Sequence, residues 1–186
     1  MQNQNNVIEI IIGTSRPGAY SRKVGNMIFE MYKTFGIEVG LIDLKDMPLE
    51  AFSGDAINAR PAPIQNFADR ILKADGVHFV TPEYNGGVPG VLKFFIDLLP
   101  FPESFQNRCF AITSVSSGMW SGIRASGHLE DIVTYKEGII FNQKVMLGNI
   151  ASLFDDKDNF IGVKENERLE KQIGGFAQFV QKLSKN

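Results

Sequence analysis

Apolar positions along this chain follow two rhythms, one of short continuous runs and one of three- and four-residue steps. Val7–Ile12 reads Val-Ile-Glu-Ile-Ile-Ile and closes at Gly13. Its length and β-branched content predict a buried strand. From Tyr20 to Phe35 the apolar positions Val24, Met27, Ile28, Met31 and Phe35 form one stripe on a helix. Ile37–Asp43 predicts a second strand, and Met47–Arg60, with Pro48 and Gly54, predicts a loop. A second helix opens at Pro61 or Pro63 and carries Ile64, Phe67, Ala68, Ile71 and Leu72. Gly76–Thr81 is the third predicted strand and Val91–Leu99 the third helix, stopped by Pro100 and Pro102. Arg108–Val115 predicts strand four, Ile123–Lys136 helix four, and Ile139–Leu147 contains strand five. Asp155–Glu167 reads as a polar connection. The last helix carries Leu169, Ile173, Phe176, Val180 and Leu183.

Five strands alternating with five helices predict a three-layer α/β sandwich with a parallel sheet and right-handed crossovers. The expected strand order is 2-1-3-4-5, that of flavodoxin-type sheets. With no repeat and no linker, residues 1–186 read as a single domain, and residues 1–6 are expected to be disordered.

Composition narrows the chemistry. The chain has 186 residues, 44% of them hydrophobic, with 19 basic against 21 acidic side chains and a net charge of −2. That balance disfavours nucleic-acid binding. A single cysteine, Cys109, excludes an internal disulfide, and with two histidines a metal site is poorly supplied. No apolar run approaches the roughly 20 residues of a membrane span, and the amino terminus lacks a secretory pattern. A cytoplasmic protein without membrane insertion is the expectation.

In an open parallel sheet, ligands bind beyond the carboxyl ends of the strands. Strand one runs into Gly13-Thr14-Ser15-Arg16-Pro17-Gly18-Ala19-Tyr20-Ser21-Arg22. Its hydroxyls, its arginine and the following helix start suit an anion. It is neither a Walker loop nor a Gly-x-Gly-x-x-Gly turn, because Lys-Ser/Thr is absent and Ser15 holds the second glycine position. Asp43, at the end of strand two, is a weak candidate for a ribose-binding acid. Strand three opens into Pro82-Glu83-Tyr84-Asn85-Gly86-Gly87-Val88-Pro89-Gly90, an aromatic and glycine loop suited to a flat ring. Strand four opens into Ser116-Ser117-Gly118-Met119-Trp120-Ser121-Gly122. Its serine is misplaced for a nucleophile elbow. His78 reads as a satisfied core histidine, His128 as structural or interfacial, and Cys109 as an inert buried thiol.

These loops, and above all Pro-Glu-Tyr-Asn-Gly followed by Pro-Gly-Val-Leu-Lys and Ile96-Asp97, resemble the NADPH-dependent FMN reductases. That family has a flavodoxin-like fold and includes quinone, azo and chromate reductases. The likeness runs from about Val7 to Gly148. It implies bound FMN, with NADPH or NADH as co-substrate. By the same resemblance Thr14, Arg16 and Ser21, with Ser15 between them, match phosphate-contact positions. Pro82, Glu83, Tyr84, Asn85 and Gly86 match the segment lining the isoalloxazine, and Ser116, Ser117 and Gly118 match third-loop positions near the flavin. Ala19 departs from a frequent serine and Ser121 from a frequent glycine. The flavin would carry the chemistry, so no catalytic side chain and no metal are assigned.

The resulting expectation is an NAD(P)H-dependent FMN oxidoreductase passing hydride to quinones, free flavin or azo compounds. The rivals are a flavodoxin-like electron carrier and a flavin-binding regulatory module. The resemblance also implies a homodimer or homotetramer, and Phe94, Phe95, Leu98, Phe101 and Trp120 are the candidate apolar surface for it.

Overall fold

A computed structural model describes residues 6–184. Residues 1–5, expected to be disordered, lie outside the described residues. Asn6, included in that expectation, is placed, and its side-chain amide donates to Ser184 Oγ at 3.0 Å.

The strands are β1 (Val7–Ile12), β2 (Glu38–Asp43), β3 (Gly76–Pro82), β4 (Cys109–Val115), β5 (Ile139–Ile140) and β6 (Val145–Leu147). The helices are α1 (Tyr20–Thr34), α2 (Ala62–Lys73), α3 (Gly90–Leu98), α4 (Ile123–Tyr135) and α5 (Val163–Leu183). All paired strands are parallel, in the order β2-β1-β3-β4-β5, with β6 also on β4. The predicted sheet order is therefore the observed one.

Each face of the sheet buries one helical layer. Val24, Ile28 and Tyr32 of α1 and Leu169, Ile173, Phe176 and Val180 of α5 pack on Ile8, Ile10, Val80 and Ala111. Ala68 and Ile71 of α2, Leu92, Phe95 and Ile96 of α3 and Leu129 and Val133 of α4 pack on Ile11, Val77, Phe79, Phe110 and Ile112. Successive strand residues face opposite layers, so continuous apolar runs are required where both faces are covered.

Three sequence expectations are corrected. The fifth strand is split: Cys109 and Phe110 pair with Ile139 and Ile140, and Thr113–Val115 pair with Val145–Leu147. Two residues of β4 lie between these pairings against four on the edge, the extra length of a bulge. Phe141 there turns its ring onto Phe176 and Phe179. Met47–Arg60 is not bare loop, since Leu49–Phe52 forms a 3₁₀ turn. Finally, α5 begins at Val163, inside the segment read as a connection. Its first turns are largely exposed, so the apolar stripe that signals a helix starts only at Leu169.

Candidate functional site

β1, β3 and β4 lie side by side, so the loops after them open at one end of the sheet. Specific bonds tie them together. Gly13 N–H donates to Val80 O at 2.9 Å, and Glu83 N–H to Val115 O at 3.1 Å. Thr14 Oγ1 and the Tyr84 hydroxyl are 2.9 Å apart.

In the first loop Thr14 Oγ1 accepts the Arg16 N–H at 3.1 Å. Thr14 is fully buried, so its hydroxyl shapes the loop instead of facing outward. Ser15 and Arg16 are exposed. The Arg16 guanidinium has no hydrogen-bond or ionic partner among the described residues, nor have the N–H groups of Ser15, Gly18, Ala19, Tyr20 and Ser21. Ala19 caps the start of α1 without a side-chain hydrogen bond, and the first turn of α1 holds no acidic residue. Uncapped N–H groups at a helix start carry partial positive charge. Ser21 is buried as well, and its Oγ is enclosed without a partner.

Sequence reading placed Arg22 at the end of this loop without a role, and in the structure Arg22 shapes the loop. Its guanidinium donates to Arg16 O at 2.7 Å and to Thr14 O at 3.1 Å. It also forms a two-bond pair with Asp43, at 2.6 and 3.0 Å. The hydrogen bond to Asp43 raises the Arg22 pKa above its usual value, ahead of an opposing burial effect. Asp43 is thereby engaged inside the protein and is not a free ribose-binding acid. The available signal was an arginine one turn into α1 beside a loop rich in carbonyls.

In the second loop Tyr84 and Gly87 exchange both backbone hydrogen bonds at 3.0 Å. Asn85 (φ 51°) and Gly86 (φ 75°) occupy the tip, both left-handed. That is the geometry of a tight two-residue hairpin turn, which favours Asn-Gly. The N–H groups of Asn85 and Gly86 have no partner among the described residues. Pro82 is buried as the last residue of β3. Glu83 accepts the Arg124 N–H and pairs with its guanidinium, both at 3.0 Å, so it secures the start of α4. The side chains of Arg124 and His128 flank the turn, close enough that a Cβ at Gly87 would lie 2.8 Å from His128 Nδ1.

The third loop folds on itself. Ser116 Oγ accepts the Gly118 N–H at 3.1 Å, and Gly118 O accepts the N–H groups of Ser121 and Asn149. Ser117, Met119 and Trp120 are exposed, Trp120 by 62%.

Other candidates resolve into structure. Tyr32 OH and His78 Nδ1 are 2.9 Å apart, as are His78 Nε2 and Thr113 Oγ1. Thr113 donates to Gln172 Oε1 at 2.7 Å, and Gln172 Nε2 donates to Ile112 O and Gln143 O. One direction satisfies every member: Tyr32 donates to Nδ1, and Nε2–H donates to Thr113. Burial lowers the His78 pKa to about 3, so the ring is neutral. Burial likewise pushes the Cys109 thiol up to about 11, away from the reactive thiolate. A groove at the opposite end of the sheet holds Asp75 and Arg108. Asp75 accepts the Val7 N–H, and Arg108 donates to the carbonyls of Ser104, Glu103 and Leu72.

Among the described residues the strand-end loops thus bring free N–H donors and the unpaired Arg16 cation together, while Asp43 and Glu83 are neutralised by arginines. A phosphate on the first loop and a ring with hydrogen-bond acceptors at the Asn85–Gly86 turn fit that donor set. The buried, unpartnered Ser21 Oγ at the start of α1 adds unused donor capacity.

Comparison with known proteins agrees with this chemistry. The NADPH-dependent FMN reductase family matches residues 7–152, and the chain belongs to it. A quinone reductase of Pseudomonas putida is 30% identical over 177 residues, 93% of this chain and 94% of that one. An NAD(P)H-dependent FMN reductase of Pseudomonas aeruginosa is 28% identical, with 93% and 94% covered. Among solved structures, the flavoenzyme NAD(P)H:(acceptor) oxidoreductase FerB of Paracoccus denitrificans shares the fold. Its TM-score is 0.79, over 95% of this chain and 98% of that one, at 20% identity. The protein is an oxidoreductase whose family works with FMN and NAD(P)H.

Proposed function

We propose that this FMN reductase family member transfers hydride from NADPH or NADH to quinones or related small acceptors in the cytoplasm, with FMN held at the three strand-end loops. The observation that carries this reading is the junction of the first and second loops, where Thr14 and Tyr84 join a cation-bearing helix start to a turn with free N–H groups. The chemistry FMN supplies is acceptance of hydride from a pyridine nucleotide and its delivery to an acceptor.

The protein's task is binding and orientation. Arg16, Ser15 and the free N–H groups of Gly18, Ala19, Tyr20 and Ser21 bind the phosphate. Thr14 holds the loop in shape, and Ser21 Oγ is the reserve donor. Asn85 and Gly86 present N–H groups to the polar edge of the ring, where developing negative charge is stabilised. Pro82, Glu83 and Tyr84 fix that turn, and Ser116, Ser117 and Gly118 form the opposing rim. Met119 and Trp120, exposed beside that rim, lie on the side open to the acceptor.

The assembly we propose is a homodimer or a dimer of dimers. Phe95 and Leu98, two of the apolar residues expected at an interface, are instead buried within the chain. Phe101 and Trp120 remain exposed, and so do Leu49, Phe52 and Ile57, with Phe52 stacked 4.8 Å from Phe94. Exposed apolar patches such as the Phe52–Phe94 stack mark interaction sites. Sedimentation at micromolar concentration should give a dimer or larger, and a monomer alone would reject the assembly.

Reconstitution with FMN, followed by NADPH and NADH oxidation with quinone, free-flavin and azo acceptors, tests the activity. Bound flavin with turnover supports the reading. Bound flavin without turnover identifies an electron carrier, and failure to bind FMN rejects both.

A further inference from the structure

We propose that Arg22, anchored by Asp43, is the residue that positions the phosphate cradle, while Arg16 is the cation that binds. This rests on the reading of the first loop as a phosphate site.

The four hydrogen bonds of Arg22 divide into two pairs. One pair goes to Asp43, and the other draws in Thr14 O and Arg16 O. In a trans peptide the N–H points opposite to the C=O, and the Thr14–Ser15 bond is trans. With Thr14 O held on the guanidinium, the Ser15 N–H is turned away from Arg22, where it has no partner among the described residues. The Arg16 carbonyl is drawn in the same way. Its peptide partner is Pro17, which has no N–H to offer. The gain there is removal of a negative carbonyl end from the side an anion approaches.

Arg22 and Asp43 side chains are only 16% and 10% exposed, and their charges are matched within the protein. The pair shapes the loop without competing for the ligand. Lysine cannot replace this arrangement. A planar guanidinium offers five donors in a fixed fork, whereas an ammonium offers three around one point. It cannot span both carbonyls and both carboxylate oxygens.

The discriminating experiment compares FMN with riboflavin, which is the same ring system without the phosphate. Apo wild type, Arg22→Lys and Asp43→Asn are titrated with each by fluorescence quenching, with circular dichroism as the control for folding. Arg22→Lys should raise the FMN dissociation constant about 10- to 150-fold, the worth of a hydrogen bond to a charged group. Its riboflavin affinity should be that of wild type. Asp43→Asn should shift FMN in the same direction, and it carries the test alone if Arg22→Lys does not fold.

Equal weakening of FMN and riboflavin would overturn the proposal, because Arg22 would then serve only general stability. Unchanged FMN affinity would overturn it as well. Wild type binding FMN no better than riboflavin would refute the underlying phosphate site, a result distinct from either of these.

Discussion

The hydroxyl of Thr14 and the phenol of Tyr84 meet at 2.9 Å and join the loop after β1 to the loop after β3. Thr14 Oγ1 also receives the Arg16 N–H, so one buried oxygen sets the relation between the two halves of the site. Tyr84→Phe keeps the ring and removes the bond. It should lower stability by about 1 kcal/mol, the net worth of a typical hydrogen bond, and weaken FMN binding. Urea denaturation and an FMN titration read the two effects, and unchanged values in both would disconnect the loops.

Arg16→Ala should raise the FMN dissociation constant about 10- to 150-fold, through loss of charge-assisted bonds to the phosphate. The Arg16 side chain is exposed and has no partner among the described residues, so the melting temperature of the apo-protein should hold. Activity should return with excess FMN. An affinity equal to wild type would remove Arg16 from the site.

His78 gives the fold an acid-sensitive element. Its folded pKa of about 3 lies below the ordinary histidine value of 6.5. The unfolded chain therefore takes up a proton that the folded chain refuses. The stability at stake is present above pH 6.5 and is lost as pH falls toward 3. The slope is about 1.4 kcal/mol per pH unit in that window. Unfolding free energies measured between pH 6 and pH 4 should fall more steeply for wild type than for His78→Gln. Parallel slopes would show that the ring is protonated at no cost.

Gly40 of β2 leaves room for the Glu9 carboxylate. A Cβ there would collide with both carboxylate oxygens of Glu9. Glu9 is buried and held by Arg70 through bonds of 3.0 and 2.6 Å. Gly40→Ala should displace the carboxylate and destabilise the protein by about 1–3 kcal/mol, the range for overpacking a filled site. Thermal denaturation measures it. A melting temperature matching wild type would mean that the pair shifts freely.

The sheet order was readable because both faces of β1, β3 and β4 are covered, which writes runs such as Ile10-Ile11-Ile12 directly into the sequence. The break after Ile140 was not readable. Phe141 looks like a continuing strand residue, but its ring is claimed by Phe176 and Phe179 on α5. In the site, Arg16 and the Asn85–Gly86 turn stood out because exposed polar and left-handed residues have few other reasons to cluster. Thr14 and Ser21 look equally exposed in sequence, yet both are buried, since a hydroxyl carries no sign of which way it faces. Arg22 and Arg124 could be given no role from sequence, because an arginine that serves protein carbonyls or carboxylates is spelled like one that serves a ligand. Only the positions of Asp43 and Glu83 separate them.

The split between β5 and β6 also governs how the protein meets other chains. An unbroken outer strand would offer a long row of free N–H and C=O groups on which a foreign strand could zip. Here that row is cut into two residues and three, with the Phe141–Lys144 segment between them. The carbonyl of Gln143 is taken by Gln172 at 2.9 Å, and that of Met146 faces Arg168 at 3.4 Å. An approaching strand finds neither the length nor the open acceptors for a continuous ladder, so this margin of the sheet is guarded against edge-to-edge aggregation.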